Sequence, residues 1–209
     1  MEYQRARTRE QIEERRLDIL AACDRLFEEG GYESINIKAI SEMTTIKRSS
    51  IYTYYKTKDE MILDSLCLEL LKWQEELCVW SEEETALDRT EFSRQFTKLL
   101  LTKDKMLQYY CLLYTVLEKN CSVEKLVEFK RKATPVMETL VRLLMHFFPH
   151  YSVEQAALAA EEMIAFIQGA YPASHLTKRQ MDALEKSGTG YQPPDFEQLC
   201  EAGIRSLLA

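Results

Sequence analysis

The chain has 209 residues, of which 46% are hydrophobic and 29% are charged. This composition is typical of a globular protein long enough to bury a core, in one large or two small domains. No apolar run approaches the ~18 residues of a membrane span, and residues 1–16 are too charged for a secretion signal. We therefore expect a cytoplasmic protein.

The net charge of −7 is unevenly distributed along the chain. Residues 1–58 hold 11 basic and 10 acidic residues, whereas residues 59–209 hold 16 basic and 24 acidic residues. Binding to phosphates depends on the local field and not on the total charge. An acidic protein with a locally basic N-terminal segment can therefore still bind DNA.

Helix-period hydrophobic patterns with capping signals cover most of the chain, which predicts an all-α fold of about nine or ten helices. Thr8 and Gln11 form a capping box that opens a first helix through Glu29. Gly30-Gly31 should end it. Its predicted inner face is Ile12, Ile19, Cys23, Leu26 and Phe27.

Two short helices and a long one are predicted next. Asn36 can cap a helix over residues 37–43, and a second short helix is predicted over about residues 48–55. Thr57 and Glu60 form another capping box, which opens a long fourth helix. Apolar residues recur on that helix at spacings of three and four, which predicts a buried stripe. The stripe is Leu63, Leu66, Leu70, Trp73, Leu77 and Trp80.

An acidic segment at 81–85 then interrupts the helical pattern. Further helices are predicted from about 88, near 106–119, and over about 123–148. The last of these contains Pro135, which should kink or split it because proline lacks a backbone N–H.

The C-terminal part is predicted to hold two more helices. A capping box at 152–155 opens the first, which Tyr171-Pro172 should end. Residues 173–192 are predicted to form a loop with one turn of helix after Thr177. Pro193-Pro194 should start the last helix.

Residues 31–61 carry the clearest functional signal of the sequence. They predict two short helices around a tight turn, the arrangement that a helix-turn-helix requires. Ile37, Ile40, Met43, Ile46, Ile51 and Tyr55 are predicted to point inward. The second helix otherwise carries Lys, Arg, Ser, Thr and Tyr. Arg can bridge two guanine acceptors, Ser and Thr can bind bases or phosphates, and Tyr and Lys suit phosphate oxygens.

Three segments resemble the TetR family of bacterial transcription regulators: ILAACDRLFEEGGY (19–32), IKAISEM (37–43) and IYTYYKTKDEM (51–61). The last segment has the family hallmark, an apolar residue, Tyr and two aromatics followed by Thr-Lys-acid. The resemblance implies a three-helix DNA-binding domain over residues 1–58. It also implies a helical ligand-binding and dimerisation domain over residues 59–209.

The resemblance identifies residues 47–55 as the recognition helix. It implies that Tyr52, Tyr54 and Lys58 contact phosphates and that Arg48, Ser50 and Thr53 can reach bases. The full predicted DNA-binding set is Asn36, Lys38, Lys47, Arg48, Ser49, Ser50, Tyr52, Thr53, Tyr54 and Lys58. Arg5, Arg7 and Arg9 would form either an arm along a groove or a disordered tail.

The turn departs from the family pattern. It reads Thr44-Thr45-Ile46-Lys47 instead of Ala-Gly-Val-Ser. A β-branched Thr45 would be disfavoured if the turn required a left-handed residue. Lys47 stands at the helix N-cap, where it would suit a nearby phosphate or would be an ordinary solvated lysine.

The second domain should form a homodimer and bind a small, hydrophobic effector, as the resemblance implies. The expected dimer residues are Ala156, Ala159, Ala160, Met163, Ile167, Leu199 and Leu207, with packing of these faces inside one chain as the alternative. The expected effector-lining residues are Trp73, Met106, Tyr109, Tyr110, Tyr114, Phe129, Met137 and Phe166, with ordinary core packing as the alternative.

The predicted function is a ligand-responsive repressor that binds an inverted-repeat operator. An enzyme is disfavoured, because the chain has only 6 Gly and lacks a nucleophile elbow, a P-loop and a Rossmann pattern. The other alternative is a helical interaction protein that has lost DNA binding. The six cysteines are scattered and are expected to be reduced, with a redox pair as the alternative. No metal site and no cofactor are expected.

Overall fold

The computed structural model describes residues 8–83 and 86–208, except the side chain of Glu83. Throughout these residues the regular secondary structure is helical, so the predicted all-α fold class is confirmed. A 3-10 turn, Tyr32–Ser34, and a π-helical turn, Leu113–Leu117, separate some of the helices. The helices are α1 Arg9–Gly30, α2 Ile37–Met43, α3 Arg48–Ile51, α4 Lys58–Glu83, α5 Arg89–Leu101, α6 Asp104–Leu112, α7 Glu118–Asn120, α8 Val123–Phe147, α9 Val153–Ser174, α10 Lys178–Ser187 and α11 Phe196–Leu207.

The chain forms two compact units. The first unit comprises Met1–Leu68 and Leu113–Lys130, and the second comprises Glu69–Leu112 and Arg131–Ala209. Helices α4 and α8 therefore each contribute residues to both units. No helix within the described ranges is both long and apolar enough to cross a lipid bilayer.

In the first unit, α1 begins where the sequence predicts. Thr8 Oγ1 accepts the Gln11 amide at 3.2 Å, and Thr8 N donates to the Gln11 side chain. The buried face starts at Ile19 and continues through Cys23 and Phe27. The prediction that Ile12 lies on this face is wrong, because Ile12 is 45% exposed. The apolar spacing extends about two turns beyond the buried part of α1, which begins at Ile19.

In the second unit, α5 places its aromatic side chains in a ring cluster. Trp80 lies 5.3 Å from Phe92 and 5.0 Å from Phe147 between ring centroids. Phe92 stacks on Phe96 at 5.6 Å. All four side chains are buried. Such pairs contribute about 0.5–1.5 kcal/mol each beyond the area that they bury.

Neither proline inside a predicted helix ends that helix. Helix α8 continues through Pro135, and α9 continues through Pro172 to Ser174. Helix α8 is therefore not split at Pro135, and the prediction that Tyr171-Pro172 ends α9 is wrong. The Pro135 carbonyl accepts Gln74 Nε2 at 3.0 Å and Thr139 Oγ1 at 2.9 Å. The bond that proline removes would have been donated to the Arg131 carbonyl, and the helix continues without it.

The predicted loop over residues 173–192 contains a complete helix. Thr177 and Gln180 form a capping box at the start of α10. Gly188 ends it at φ 63°, ψ 15°, the left-handed conformation that glycine tolerates. Both capping signals stand in the sequence, but the polar composition between them favoured a loop.

Helix α11 packs against α5 and α9. On the α9 side, Gly203 lets the backbone of α11 approach the ring of Phe166 so closely that a Cβ atom would overlap it. Gly169, on α9, has open space where a Cβ atom would stand. A Cβ atom can therefore be added at Gly169 without a clash, but not at Gly203.

We expect Gly203→Ala to destabilise the protein by about 1–3 kcal/mol, since the Phe166 ring must move out of a packed position. Gly169→Ala is the matched control, because alanine favours a helix interior over glycine by up to about 1 kcal/mol. Urea unfolding followed by circular dichroism measures both. Equal stabilities of the two variants would contradict the close approach at Gly203.

Candidate nucleic-acid interface

The candidate interface is built on α2 and α3. Asn36 caps α2 by accepting the Ala39 amide at 2.9 Å. Ile40, Ile46 and Ile51 are buried, with 0%, 3% and 0% of their surface exposed. These three residues hold the two helices together from the inside, as the sequence predicts. Ile37 and Met43 are only half-buried.

The turn between the two helices is fixed by side-chain hydrogen bonds. Thr44 Oγ1 donates to the Ile40 carbonyl at 3.0 Å and accepts the Ile46 amide at 3.2 Å. Ser41 Oγ donates to the Ile46 carbonyl at 3.0 Å. Over the described residues, positive φ angles occur only at glycines, so Thr45 is not in the left-handed region. The Thr44 hydroxyl thus closes a turn that needs no glycine.

Helix α3 is shorter than predicted. It ends at Ile51 and is followed by a turn over residues 52–54. The Thr53 amide bonds to the Ser50 carbonyl at 3.0 Å, and Thr53 Oγ1 donates to the same carbonyl at 2.6 Å. The Thr53 hydroxyl therefore competes for an acceptor that an α-helix would use. Tyr55, beyond the turn, is buried as predicted.

Most of the predicted DNA-binding side chains lie at the surface. Tyr52 is 58% exposed. Lys38 is paired with Glu42 at 3.9 Å on the exposed face of α2. Residues 44–58 hold four basic and no acidic residues, which makes this surface locally positive. The exposed members are Asn36, Lys38, Lys47, Arg48, Ser49, Tyr52 and Thr53, and the half-buried members are Ser50, Tyr54 and Lys58.

Lys58 has an internal partner. Its Nζ donates to the Tyr32 carbonyl at 2.8 Å and lies 3.7 Å from the centroid of the Tyr32 ring. The Tyr32 hydroxyl donates to Asp59 at 2.7 Å. Burial and this carboxylate raise the pKa of Tyr32 to about 12. Lys58 therefore fixes the residue that links α1 to α4, in addition to any contact that it makes with DNA.

The exposed turn is anchored by a buried polar residue that the sequence did not reveal. The Tyr55 hydroxyl donates to Asp64 Oδ2 at 2.8 Å, and Arg16 Nη1 donates to the same oxygen at 2.9 Å. Lys125 Nζ lies 2.6 Å from Asp64 Oδ1. Burial, followed by the Asp64 charge, raises the pKa of Tyr55 well above its usual range. The only sequence signal is that Asp64 stands within the apolar stripe of α4.

The predicted effector-lining residues are distributed over both compact units. Phe129 and Tyr114 belong to the first unit, and Tyr114 is 53% exposed. Of the six in the second unit, Trp73, Met106 and Tyr109 are buried, whereas Tyr110, Met137 and Phe166 are half-buried. The pockets described within the second unit are lined by other residues.

The predicted dimer residues on α9 are covered within one chain. Ala156, Ala159, Ala160, Met163 and Ile167 are at most 6% exposed. Packing of α9 against α6 and α11 buries them. Leu199 and Leu207 on α11 are half-buried. A homodimer formed through these helices must therefore use their outer faces.

None of the six cysteines, all of which lie in the described residues, forms a disulfide bond. Burial raises the pKa of Cys111 and Cys200 to about 11. Burial, followed by the charges of Asp59 and Glu60, raises the pKa of Cys121 to about 12. Burial also raises the pKa of Cys23. These four thiols are protonated at neutral pH and are poor nucleophiles there.

Two families match the sequence. Residues 19–64 match the family described as "Bacterial regulatory proteins, tetR family", and residues 68–209 match the family described as "Tetracyclin repressor-like, C-terminal domain". These matches agree with a helix-turn-helix followed by a helical second domain. No curated protein matches the sequence significantly.

Several solved structures have a similar fold. Thermus thermophilus FadR, a TetR-family transcriptional repressor in complex with lauroyl-CoA, has 16% identity and a TM-score of 0.61, over 92% of this chain and 93% of that chain. Bacillus subtilis FadR in complex with stearoyl-CoA has 12% identity and a TM-score of 0.56, over 92% and 97%. A transcriptional regulator from Rhodococcus sp. Rha1 has 17% identity and a TM-score of 0.57, over 92% and 95%.

We expect Thr44→Val to destabilise the first unit by about 1–2 kcal/mol, because it removes both hydrogen bonds that close the turn. Thr44→Ser keeps the hydroxyl and should retain most of the stability. Thr45→Val, at an exposed neighbouring position, is the control. Hydrogen exchange of residues 40–55 and urea unfolding measure the effect, and a Val variant as stable as the Ser variant would contradict it.

Proposed function

This chain belongs to the TetR family of bacterial transcription regulators, and we propose that it is a repressor that binds an inverted-repeat operator as a homodimer and is released by a small hydrophobic effector. The family consists of DNA-binding regulators and not of enzymes. The observation that carries the proposal is the basic segment over residues 44–58, which begins with a turn closed by the Thr44 hydroxyl and exposes Lys47, Arg48 and Tyr52. We assign DNA binding to residues 1–58 and effector binding with dimerisation to residues 59–209.

The exposed side chains suit two kinds of DNA contact. Arg48 and Thr53, together with the half-buried Ser50, have the chemistry to read base edges in the major groove. Lys47, Tyr52 and Tyr54 suit phosphate oxygens. Lys58 would have to break its hydrogen bond to the Tyr32 carbonyl to reach a phosphate. Its main proposed role is therefore to hold Tyr32 in place. Asn36, Lys38 and Ser49 complete the proposed interface.

The dimer would use the outer faces of α9 and α11. Leu158 is 60% exposed on α9, and Ala165 is exposed on the same helix. Ala202 is exposed on α11. Small residues allow helices to approach closely, which supports helix-to-helix pairing of two copies. A two-fold dimer presents two equivalent reading surfaces, which matches an inverted repeat.

The effector would bind in the second domain, and an acyl thioester is the proposed class. The FadR proteins of similar fold bind lauroyl-CoA and stearoyl-CoA. Trp73 supports an apolar ligand with one acceptor, since its buried Nε1 has no hydrogen-bond partner among the described residues. Trp80 Nε1, in contrast, donates to Gln95 at 2.7 Å. An unpaired buried donor costs about 1–3 kcal/mol, which a ligand carbonyl would recover.

Selection of bound sites from a random DNA pool tests DNA binding directly. We expect an inverted repeat, with binding that weakens as salt rises. Arg48→Ala should lower the binding free energy by about 1–3 kcal/mol and relax the selectivity at one base pair. Lys47→Met should weaken binding to all sequences about equally and reduce the slope of log affinity against log salt by about 1. Arg179→Ala, at an exposed basic residue of α10, is the control.

Absence of salt-dependent DNA binding would overturn the proposal and favour an interaction protein that retains the fold. A non-palindromic site bound by a monomer would overturn the dimer. Sedimentation of the free protein and of its DNA complex distinguishes these results.

Lauroyl-CoA is the probe for the effector class, with CoA and laurate as controls. We expect lauroyl-CoA to release the protein from the selected site, as measured by fluorescence anisotropy. Trp73→Phe should weaken this response by about 1 kcal/mol, and the removal of an unpaired donor should offset part of the stability lost to the cavity. Trp80→Phe should destabilise the protein more, since Gln95 Oε1 loses the donor that Trp80 supplies. A response no larger than that to CoA alone would contradict the acyl class.

A further inference from the structure

Three acidic side chains of α4 are buried in the first unit, although carboxylates rarely are unless paired. Asp59, Glu60 and Asp64 are each 5% exposed. Partners for all three come from residues 113–130, which follow the helix-turn-helix by more than fifty positions. We call this set the polar clamp: Asp59, Glu60 and Asp64 of α4, with Asn120, Ser122 and Lys125.

The contacts of the polar clamp are short. Lys125 Nζ lies 2.6 Å from Asp64 Oδ1. Ser122 Oγ donates to Glu60 Oε1 at 3.0 Å, and Asn120 Nδ2 donates to Asp59 Oδ1 at 3.3 Å. The other Glu60 oxygen accepts the Lys56 amide at 2.8 Å, directly after the exposed turn. Residues of the polar clamp thus contact the backbone that leaves the DNA-binding segment.

Lys125 acts on the recognition segment, residues 48–54, through two contacts. Through Asp64 it faces the Tyr55 hydroxyl, which donates to the other carboxylate oxygen at 2.8 Å. Its Nζ also lies 5.5 Å from the centroid of the Tyr55 ring. Tyr55 follows the exposed turn over residues 52–54 without a gap. Lys125 therefore contacts a residue, Tyr55, that is adjacent in sequence to the side chains that would face DNA.

Loss of Lys125 should move this segment without unfolding it. Asp64 would keep Arg16 at 2.9 Å as a positive partner, so the buried charge is not left uncompensated. The Tyr55 ring would lose its neighbouring cation, and Asp64 Oδ1 would lose its short contact. Both changes alter the orientation of the recognition segment and leave the apolar contacts of Ile40 and Ile51 in place.

We propose that Lys125 is a positioning residue for operator recognition: through Asp64 and Tyr55 it holds residues 48–54 in the orientation that reads base edges. Base contacts depend on orientation more steeply than phosphate contacts, because bidentate hydrogen bonds require aligned donors. Lys125 therefore sets the discrimination between operator and random DNA, more than the total affinity. This inference rests on the proposed DNA binding.

The test compares Lys125→Met with Lys130→Met in the full chain. Both lysines lie on α8, but Lys130 pairs with Glu118 and is 59% exposed. We measure the ratio of the dissociation constants for random DNA and for the selected inverted repeat, and hydrogen exchange in the free protein. Lys125→Met should lower this ratio of dissociation constants at least tenfold. It should also speed hydrogen exchange in residues 48–58 and nowhere else. Lys130→Met should change neither, and Lys125→Arg should restore most of the ratio.

Two results would overturn the inference. One is a ratio in Lys125→Met equal to that of the parent chain. The other is faster exchange throughout the protein, which indicates a general loss of stability and not a positioning role. If the parent chain binds no DNA, the proposed function fails. Hydrogen exchange then still decides the structural part: faster exchange confined to residues 48–58 in Lys125→Met supports it, and unchanged exchange overturns it.

Discussion

The buried carboxylate of Asp64 is the constraint on which the first unit depends. Moving a charge out of water costs several kcal/mol, so the fold must supply opposite charge and hydrogen bonds. Asp64 receives them from Arg16 on α1, from Tyr55 after the recognition segment and from Lys125 on α8. Three parts of the chain that are distant in sequence must therefore meet at one side chain. Apolar packing alone would tolerate sliding between these parts, whereas directed contacts of 2.6–2.9 Å do not.

The turn between α2 and α3 is also fixed by directed polar contacts, here within a few residues. A glycine would give the backbone freedom to adopt a left-handed turn, but it would also cost conformational entropy on folding. Thr44 instead closes the turn with its hydroxyl, through bonds to Ile40 and Ile46. The residue that closes the turn is therefore separate from the exposed residues that follow it. Residues 44–58 also hold no acidic residue in a chain with a net charge of −7, so this segment is locally basic.

The sequence was sufficient for most of the structure that is decided locally, but not for the early end of α3 or for helix α10. Apolar spacing predicted the buried stripe of α4 and the inward positions Ile40, Ile51 and Tyr55, and capping boxes predicted the starts of α1 and α9. Some errors arose where distant residues decide, as at Pro135, which lies inside a continuous helix and whose carbonyl accepts a bond from Gln74. The predicted dimer residues remain a prediction, although α6 and α11 of the same chain pack against α9. The polar clamp could not be predicted either, since no periodicity relates Asp64 to Lys125. The proposed DNA-binding and effector residues remain predictions.

The two helices that contribute to both units also supply the shortest contact of the polar clamp. Asp64 lies near the start of α4, and Lys125 lies near the start of α8. Both helices continue into the second unit, to Glu83 and Phe147. An ion pair at 2.6 Å weakens steeply when one helix rotates or slides, because a helix advances 1.5 Å and turns 100° for each residue. A small displacement of α4 or α8 at this point would therefore reach Tyr55 through Asp64, by contacts that lie entirely within the first unit.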